Sequence, residues 1–215
     1  MTARALLDSV RQELSTKDEE NRTVAAIGAG DAALSTLAAL GAEETLIVAS
    51  DRRSFLLLAA RAEEPNAAGF FAWLGQGEGL AIAKLPAFTA ATGMDAAAVA
   101  EYEPRPGCQA YPSYVAWLAL NGDPADVLLA LMVNFSAWGG YCATIAGGLR
   151  AHYGFDDDAC AFFDFFAAPA PEMEAQALAA VDAALAGGAT LHRARRYGRL
   201  LQSYEASFWN TLPIT

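Results

Sequence analysis

The sequence predicts an all-α protein, and three observations carry this prediction. Apolar residues recur at three- and four-residue steps, as on one face of a helix, and no segment alternates apolar with polar residues as a half-buried strand would. Glycine, proline and aspartate separate segments of ordinary helix length. Alanine is abundant, which suits close helix packing. Roughly eight or nine helices fit the chain at typical helix lengths.

The composition favours a single domain over residues 1–215 and argues against several classes of protein. The formal net charge is −11 with only two lysines, and the one basic cluster is short (His192–Arg196). Nucleic-acid-binding proteins normally carry a basic face, so we expect no nucleic-acid partner. The three cysteines form no CxxC pair, which argues against a zinc site and fits a reducing cytoplasm. The amino-terminal segment lacks a signal-peptide core and no apolar run reaches the ~20 residues that cross a bilayer, so we expect a cytoplasmic protein without a membrane partner.

The first third of the chain predicts three helices, with a loop after the first. Thr2–Leu14 is amphipathic, and a solvated loop follows over residues 15–21. The segment GAGDAAL contains part of a dinucleotide-loop pattern, but no convincing strand precedes it, so a helix capped by Asp31 fits better. In the next helix, one face carries Ile47, Val48, Asp51, Phe55 and Leu58.

The middle of the chain predicts a series of shorter helices. A helix starts at Pro65, a turn is expected at the glycine-rich GQGEG, and a helix over Leu80–Phe88 is expected to be kinked at Pro86. A short helix follows, capped by Gly93 or Asp95, and EPRPGC is expected to be a rigid loop.

The last part of the chain predicts longer helices. Pro112 suits the first turn of a helix over Tyr111–Leu120, and Asp123-Pro124 is a strong start signal for a helix that reaches Arg150. Three further helices are expected: one carries the run CAFFDFFA, one covers Glu172–Leu185 and the last covers Tyr197–Leu212.

Three polar residues interrupt apolar helix faces on three different helices: Asp51, Asn134 and Glu205. A buried carboxylate costs several kcal/mol unless it is neutralised, paired or hydrogen-bonded. Each acid therefore has a simple alternative, with Asp51 paired to Arg52 at the surface or Glu205 turned to solvent at a helix edge. If the three faces converge, they form a pocket lined by Trp138, Tyr204, Phe208 and the phenylalanine run over residues 162–166. Such a pocket suits a flat, nitrogen-rich ring, and burial would raise a carboxyl pKa into the range of proton transfer.

The carboxyl-terminal motif YExxFW of this chain is formed by Tyr204, Glu205, Phe208 and Trp209. It resembles the ending of the TenA family, the thiaminase II-like proteins. VASDRRSF looks like the segment in which that family carries an aspartate, with Asp51 at the matching place. AYPSY similarly puts Tyr111 at the place of a site tyrosine. The resemblance implies a heme oxygenase-like bundle of helices. It also implies Glu205 as the catalytic acid or base and the following substrate-binding residues: Asp51, Tyr111, Asn134, Trp138, Phe166, Tyr204 and Phe208.

The chain departs from the family at the nucleophile. The family hydrolyses thiamine or its aminopyrimidine breakdown products with a cysteine on the long central helix. An ungapped alignment puts Asn134 at that position, and a shift of two residues puts Ser136 there. An amide cannot replace an attacking thiolate, and Cys142 lies about 12 Å further along the helix. The binding half of the family's site is thus retained without its nucleophile.

Three functions follow from the sequence. The first is a TenA-like protein that binds a small aromatic metabolite, of the aminopyrimidine or thiamine-related class, and hydrolyses it with a bound water in place of the thiol. The second is a non-catalytic ligand-binding or regulatory protein with the same pocket. The third, a metal-dependent oxidase of this fold, fits least well, because a di-iron site needs about six ligands and the only histidines are His152 and His192. We therefore expect no metal and no cofactor, and the resemblance favours a homodimer or a higher homo-oligomer.

Overall fold

All regular secondary structure in the described part of the chain is helical. A computed structural model describes residues 2–14 and 21–213, apart from the side chain of Ser136. These residues form no strand, so the all-α prediction is confirmed. They form α1 (Ala3–Leu14), α2 (Arg22–Ala29), α3 (Leu34–Arg61), α4 (Pro65–Ile82), α5 (Leu85–Ala91), α6 (Ala96–Ala100), α7 (Pro106–Asn121), α8 (Pro124–His152), α9 (Asp157–Ala167), α10 (Pro171–Ala186) and α11 (Ala194–Thr211). Residues 15–20 of the predicted loop lie outside the described residues.

Several helix starts lie where the capping signals predict them. Asp123 accepts a hydrogen bond from the backbone N–H of Ala125, and Pro124 occupies the first turn of α8. Asp95 caps α6 in the same way, through the N–H of Ala98. These caps satisfy backbone donors that have no partner within the helix.

The predicted cap at Asp31 is wrong. Asn21 caps α2 instead, by accepting from the N–H of Val24. Gly30, with a left-handed φ of 81°, then ends that helix. Asp31 is exposed in the short connection, and Ala33 precedes α3 without a side-chain hydrogen bond.

The predicted turn at GQGEG is also wrong, because α4 continues through it to Ile82. The first glycine of this segment, Gly75, serves packing rather than a turn. A Cβ atom on Gly75 would lie 2.8 Å from the side chain of Leu56, so the glycine lets α4 lie close to α3. The predicted loop EPRPGC likewise contains a helix start, since Pro106 opens α7 and Pro112 lies inside it.

Two apolar cores divide the molecule. The first core includes residues of α1, α3, α4, α7, α8, α10 and α11, among them Leu6, Phe70, Leu118, Leu131, Val181 and Leu201. The second core includes residues of α2, α3, α4, α5, α7, α8, α9 and α11, among them Ile27, Leu40, Phe88, Ile145, Phe163 and Trp209. The side chains of both sets are almost fully excluded from solvent.

Five helices pass from one core to the other, and each carries a polar residue at the crossing. On α8, for example, Leu131 packs in the first core, Cys142 packs in the second, and Asn134 lies between them. The same order holds on α3, α4, α7 and α11. We call these five residues the polar layer: Asp51, Glu78, Tyr111, Asn134 and Glu205. The fold thus brings the three interruptions predicted from sequence to one level of the bundle.

The central helix α8 is long and apolar enough to span a membrane by length and composition, the only such helix in the described residues. Within the protein, however, 53% of its most apolar window is buried. It packs against α2, α9, α10 and α11. Helix α8 is therefore the core helix of the bundle.

One of the mid-helix glycines of α8 is explained by a close helix approach. A Cβ atom on Gly148 would lie 2.4 Å from the carbonyl oxygen of Ile27. Only glycine lets α2 lie this close to α8. A second one, Gly139, borders a cavity described below.

Asp126 joins the starts of α8 and α11. Its side chain is buried, and its Oδ1 atom accepts hydrogen bonds from the backbone N–H groups of Arg193, at 3.0 Å, and Ala194, at 2.9 Å. The first residues of α11 supply no side-chain cap of their own. A carboxylate from α8 thus caps α11 and fixes the start of the helix that carries Glu205.

Asp126→Ala is expected to lower the free energy of unfolding by about 2 kcal/mol, because two backbone donors lose their acceptor. Urea unfolding followed by circular dichroism measures the loss. Asp8→Ala, at an exposed position on α1, removes the same charge without a buried contact and serves as the control. Equal losses in the two variants would contradict the capping role.

Candidate functional site

A cavity of about 550 Å³ opens at the polar layer, between the two cores. All five residues of the polar layer line it. Seven of the eight predicted site residues do so as well: Asp51, Tyr111, Asn134, Trp138, Phe166, Glu205 and Phe208. The convergence expected from three separate helix faces is therefore present in the structure.

A chain of hydrogen bonds crosses one wall of the cavity. The hydroxyl of Tyr111 donates to Oδ1 of Asn134 at 2.8 Å, and Nδ2 of Asn134 donates to Oε2 of Glu205 at 2.6 Å. The amide of Asn134 therefore has a fixed orientation, with one atom bound on each side. Its role is to hold Tyr111 and Glu205 in place across three helices.

Glu205 faces the cavity from α11 and is partly shielded from solvent. Burial raises the pKa of its carboxyl to about 6, although the hydrogen bond from Asn134 and the nearby indole of Trp209 lower it. The Nε1 atom of Trp209 is buried without a hydrogen bond of normal geometry. A carboxyl with this pKa exchanges its proton near neutral pH, as a general acid or base requires.

Asp51 is the most isolated acid of the site. Its side chain is 6% exposed, and its Oδ1 atom is buried without a hydrogen-bond partner. Arg52 and Arg53 are exposed, and neither pairs with it. Burial raises the pKa of Asp51 to about 8. The surface ion pair with Arg52, left open by the sequence, is therefore absent.

Two further carboxyl groups in the cavity escaped the sequence analysis. Glu44 lies on α3 seven residues before Asp51, which is two helical turns and the same face. This seven-residue spacing places Glu44 on the same helix face as Asp51, but the apolar face predicted from the sequence starts at Ile47, after Glu44. Glu78 was hidden by the turn wrongly predicted at GQGEG, because a turn gives a side chain no defined face.

The four carboxyl groups face no cation among the described residues of the cavity wall, which include no lysine, arginine or histidine. Burial, with the nearby charges of Asp51, Glu43 and Glu205, raises the pKa of Glu44 to about 8. Burial also raises the pKa of the Tyr111 phenol, and all four acids add to the shift, so this hydroxyl remains a hydrogen-bond donor.

Aromatic rings form another part of the cavity wall. The ring of Trp138 lies 5.8 Å from that of Phe166 and 6.1 Å from that of Trp209, and Phe208 lies 4.9 Å from Trp209. Edge-to-face contacts of this kind hold the rings in fixed orientations. A planar ligand can therefore stack in the cavity without reorganising the wall.

Two expectations about this wall need correction. Tyr204 does not line the cavity, because it lies one residue from Glu205 and hence on a different side of α11, where its ring contacts Tyr114 at 5.2 Å. Phe162 and Phe163 also lie outside the lining and fill the second core. Only Phe165 and Phe166 of that run reach the cavity.

None of the three cysteines lines the cavity. All are buried, and burial raises the pKa of each thiol, so none is an activated nucleophile. Asn134 borders the cavity, whereas the side chain of Ser136 lies outside the described residues. The described wall therefore offers carboxyl, amide and phenol groups, and no thiol.

His152 and His192 are both exposed and lie away from the cavity. Across residues 2–14 and 21–213, no three His, Cys, Asp or Glu side chains are grouped closely enough to hold a metal ion. The carboxyl groups of the cavity are thus too dispersed for a shared metal ligand set.

Comparison with solved structures identifies the fold. A TenA homologue from P. horikoshii OT3 matches with a TM-score of 0.74 at 16% identity, over 98% of this chain and 97% of that one. A domain of unknown function with a heme oxygenase-like fold, from Shewanella denitrificans OS217, matches with a TM-score of 0.57 at 15% identity, over 94% and 90% of the two chains. The fold is heme oxygenase-like. The fold expected from the carboxyl-terminal motif is therefore confirmed.

A third similar structure is a TenA family transcription regulator from Silicibacter sp. TM1040, with a TM-score of 0.63 at 18% identity, over 97% of this chain and 95% of that one. No protein-family description matches the sequence, and no curated protein matches it either. The similarity therefore lies in the fold.

The free energy of unfolding is expected to fall between about pH 5 and pH 8 by more than ~2 kcal/mol. The folded pKa values of Glu44, Asp51 and Glu205 lie above their unfolded values, so the folded state holds protons that the unfolded state has released. Stability is then full at the acidic end and decreases as pH rises through the folded pKa values. Urea unfolding at several pH values measures this slope.

Asp51→Asn is expected to flatten the slope, because the amide has no proton to lose. Asp8→Asn removes the same charge from the surface and is expected to keep the full slope, which separates the buried acid from the net charge of −11. A stability that stays level or rises across this range would contradict the raised pKa values.

Proposed function

We propose that this chain is a TenA-like protein whose cavity binds a small, flat aromatic metabolite that carries an amine, of the aminopyrimidine or thiamine-related class. The fold supports the proposal, because two of the similar structures carry TenA in their titles. The sequence motif around Glu205 supports it independently. Asp51, Tyr111 and Glu205, which the resemblance implies as site residues, share one cavity.

The observation that carries the proposal is the unpartnered carboxyl of Asp51. A buried polar atom without a hydrogen-bond partner costs about 1–3 kcal/mol, and more when it is charged. An amino group on a ligand would supply the missing donor. A site built to hydrogen-bond an amine in this way discriminates strongly against analogues that lack it.

The aromatic wall accounts for the rest of the ligand. A ring between Trp138, Phe166 and Phe208 would stack or make edge contacts, each worth about 0.5–1.5 kcal/mol beyond its buried area. The cavity volume of about 550 Å³ lies in the range of small-molecule sites. Ring and amine together match an aminopyrimidine.

Asp51→Asn is expected to weaken binding of an aminopyrimidine by at least about tenfold, because a bound amine can draw the Asp51 carboxyl into its ionised, accepting form, whereas an amide cannot ionise and keeps its own donors. Isothermal titration calorimetry with a hydroxymethyl aminopyrimidine and with thiamine measures the change. Asp31→Asn removes an exposed acid outside the cavity and is expected to bind like the natural sequence. Equal affinities of the two variants would contradict the role of Asp51.

Hydrolysis of the bound metabolite is a second candidate function, favoured by the pKa of about 6 at Glu205. Ionised Glu205 would take a proton from a water molecule whose oxygen attacks the carbon that bears the leaving nitrogen. The carbon–nitrogen bond breaks with its electron pair on nitrogen, and Glu205 returns the proton to that nitrogen. Asn134 would hold the carboxylate in place by its hydrogen bond at 2.6 Å.

Glu205→Gln is expected to reduce turnover of an aminopyrimidine amine by about 100-fold or more, because the amide cannot carry the proton. Product analysis by liquid chromatography measures the rate, and thiamine is expected to remain intact because the cavity wall offers no thiol. A rate unchanged in Glu205→Gln would remove the hydrolytic candidate. If the natural sequence binds the metabolite but does not turn it over, only the ligand-binding function remains.

A further inference from the structure

Glu44 and its neighbour Glu43 have opposite surroundings, although both are buried. Glu43 accepts hydrogen bonds from the hydroxyl of Tyr102 at 2.9 Å, the backbone N–H of Arg105 at 2.7 Å and the side-chain amide of Gln109 at 2.6 Å. These bonds attach the start of α7 to α3, which is a structural role. Glu44, only 4% exposed, makes no such bond and lines the cavity.

Glu78 extends the same acidic surface from α4, which packs against α3. It also makes no hydrogen bond or ion pair with a described side chain. Glu78 lines the same cavity as Glu44 and Asp51, and burial together with the charges of Asp51 and Glu44 raises its pKa. One amine at Asp51 therefore leaves Glu44 and Glu78 without a partner.

The distance along α3 argues for a second group on the ligand. Glu44 and Asp51 are separated by seven residues, or about 10 Å of helix rise. This span is longer than a single pyrimidine ring. A ligand that satisfied both acids would need an arm that reaches from the ring towards Glu44.

A cation suits the end of that arm better than a neutral group or a metal ion. Without a counter-charge these acids hold their protons in the cavity, and a bound cation would let them ionise and accept its hydrogen bonds. A neutral hydroxyl donates one bond and supplies no charge that stabilises the ionised acids. No grouping of three potential metal ligands occurs in the described residues, which disfavours an inorganic cation.

We propose that Glu44 and Glu78 form a second binding site within the cavity for an organic cation, so that the ligand is an amine-bearing aromatic ring with a positively charged arm. This assignment rests on the proposed function, since the ring is taken to bind at Asp51 and the aromatic wall. It gives Glu44 and Glu78 the role of selecting cationic over neutral relatives of the same ring.

Two synthetic probes test the proposal, both 4-aminopyrimidines with a three-carbon arm that ends either in a hydroxyl or in a primary ammonium group. Calorimetry with the full chain near neutral pH is expected to show that the ammonium probe binds at least about tenfold more tightly. Glu44→Gln combined with Glu78→Gln is expected to bring the ratio close to one. The affinity for the hydroxyl probe is expected to stay within about twofold.

Glu101→Gln is the matched control, because it removes a negative charge at an exposed position away from the cavity and is expected to keep the full ratio. Glutamine has nearly the volume of glutamate, and thermal unfolding checks that the double variant is folded. The double variant is expected to be at least as stable as the natural sequence, because it removes two acids whose ionisation the cavity disfavours.

The outcomes separate the two proposals. Equal binding of both probes to the natural sequence, or a ratio unchanged in the double variant, overturns the cation site while the aminopyrimidine function stands. Failure of both probes to bind overturns the proposed function and the cation site with it.

Discussion

The structure depends on a layer of buried and half-buried polar groups held between two apolar cores. Five helices cross this layer, and each would be more readily buried if its polar residue were apolar. The carboxyl groups of Asp51, Glu78 and Glu205 line the same cavity as a fourth one, that of Glu44. No cation among the described residues of the cavity wall balances them. The cavity and the raised pKa values both follow from this arrangement.

The polar side chains of the cavity divide into a hydrogen-bonded set and a set without hydrogen-bond partners. Tyr111, Asn134 and Glu205 form a continuous hydrogen-bonded chain that fixes the position of one carboxyl group. Asp51, Glu44 and Glu78 have no such partners, and Oδ1 of Asp51 is buried alone. Buried acids of the second kind are costly to the empty protein, and a ligand that supplies amines and positive charge would relieve that cost. The site therefore combines a group prepared for proton exchange with groups prepared for binding.

Much of this was predictable from sequence, because the relevant signals are local. Helical periodicity gave the fold class, and Asp51, Asn134 and Glu205 were identifiable as polar residues on apolar helix faces. The convergence of those faces depended on helix packing, which periodicity does not determine. Glu78 was lost because glycines that serve close packing resemble glycines that form a turn. Tyr204 was misplaced because one residue along a helix is a rotation of about 100°, so a broad apolar stripe does not decide which member faces a cavity.

The account requires that Asp51 hold its proton in the folded protein at neutral pH. Carbon-13 NMR of labelled aspartate side chains, with the signal of Asp51 assigned from its absence in Asp51→Asn, measures that titration directly. The account predicts a midpoint near pH 8 for Asp51 in the ligand-free protein. A midpoint near the ordinary aspartate value of about 4 would show that the buried carboxyl is already balanced, and would contradict it.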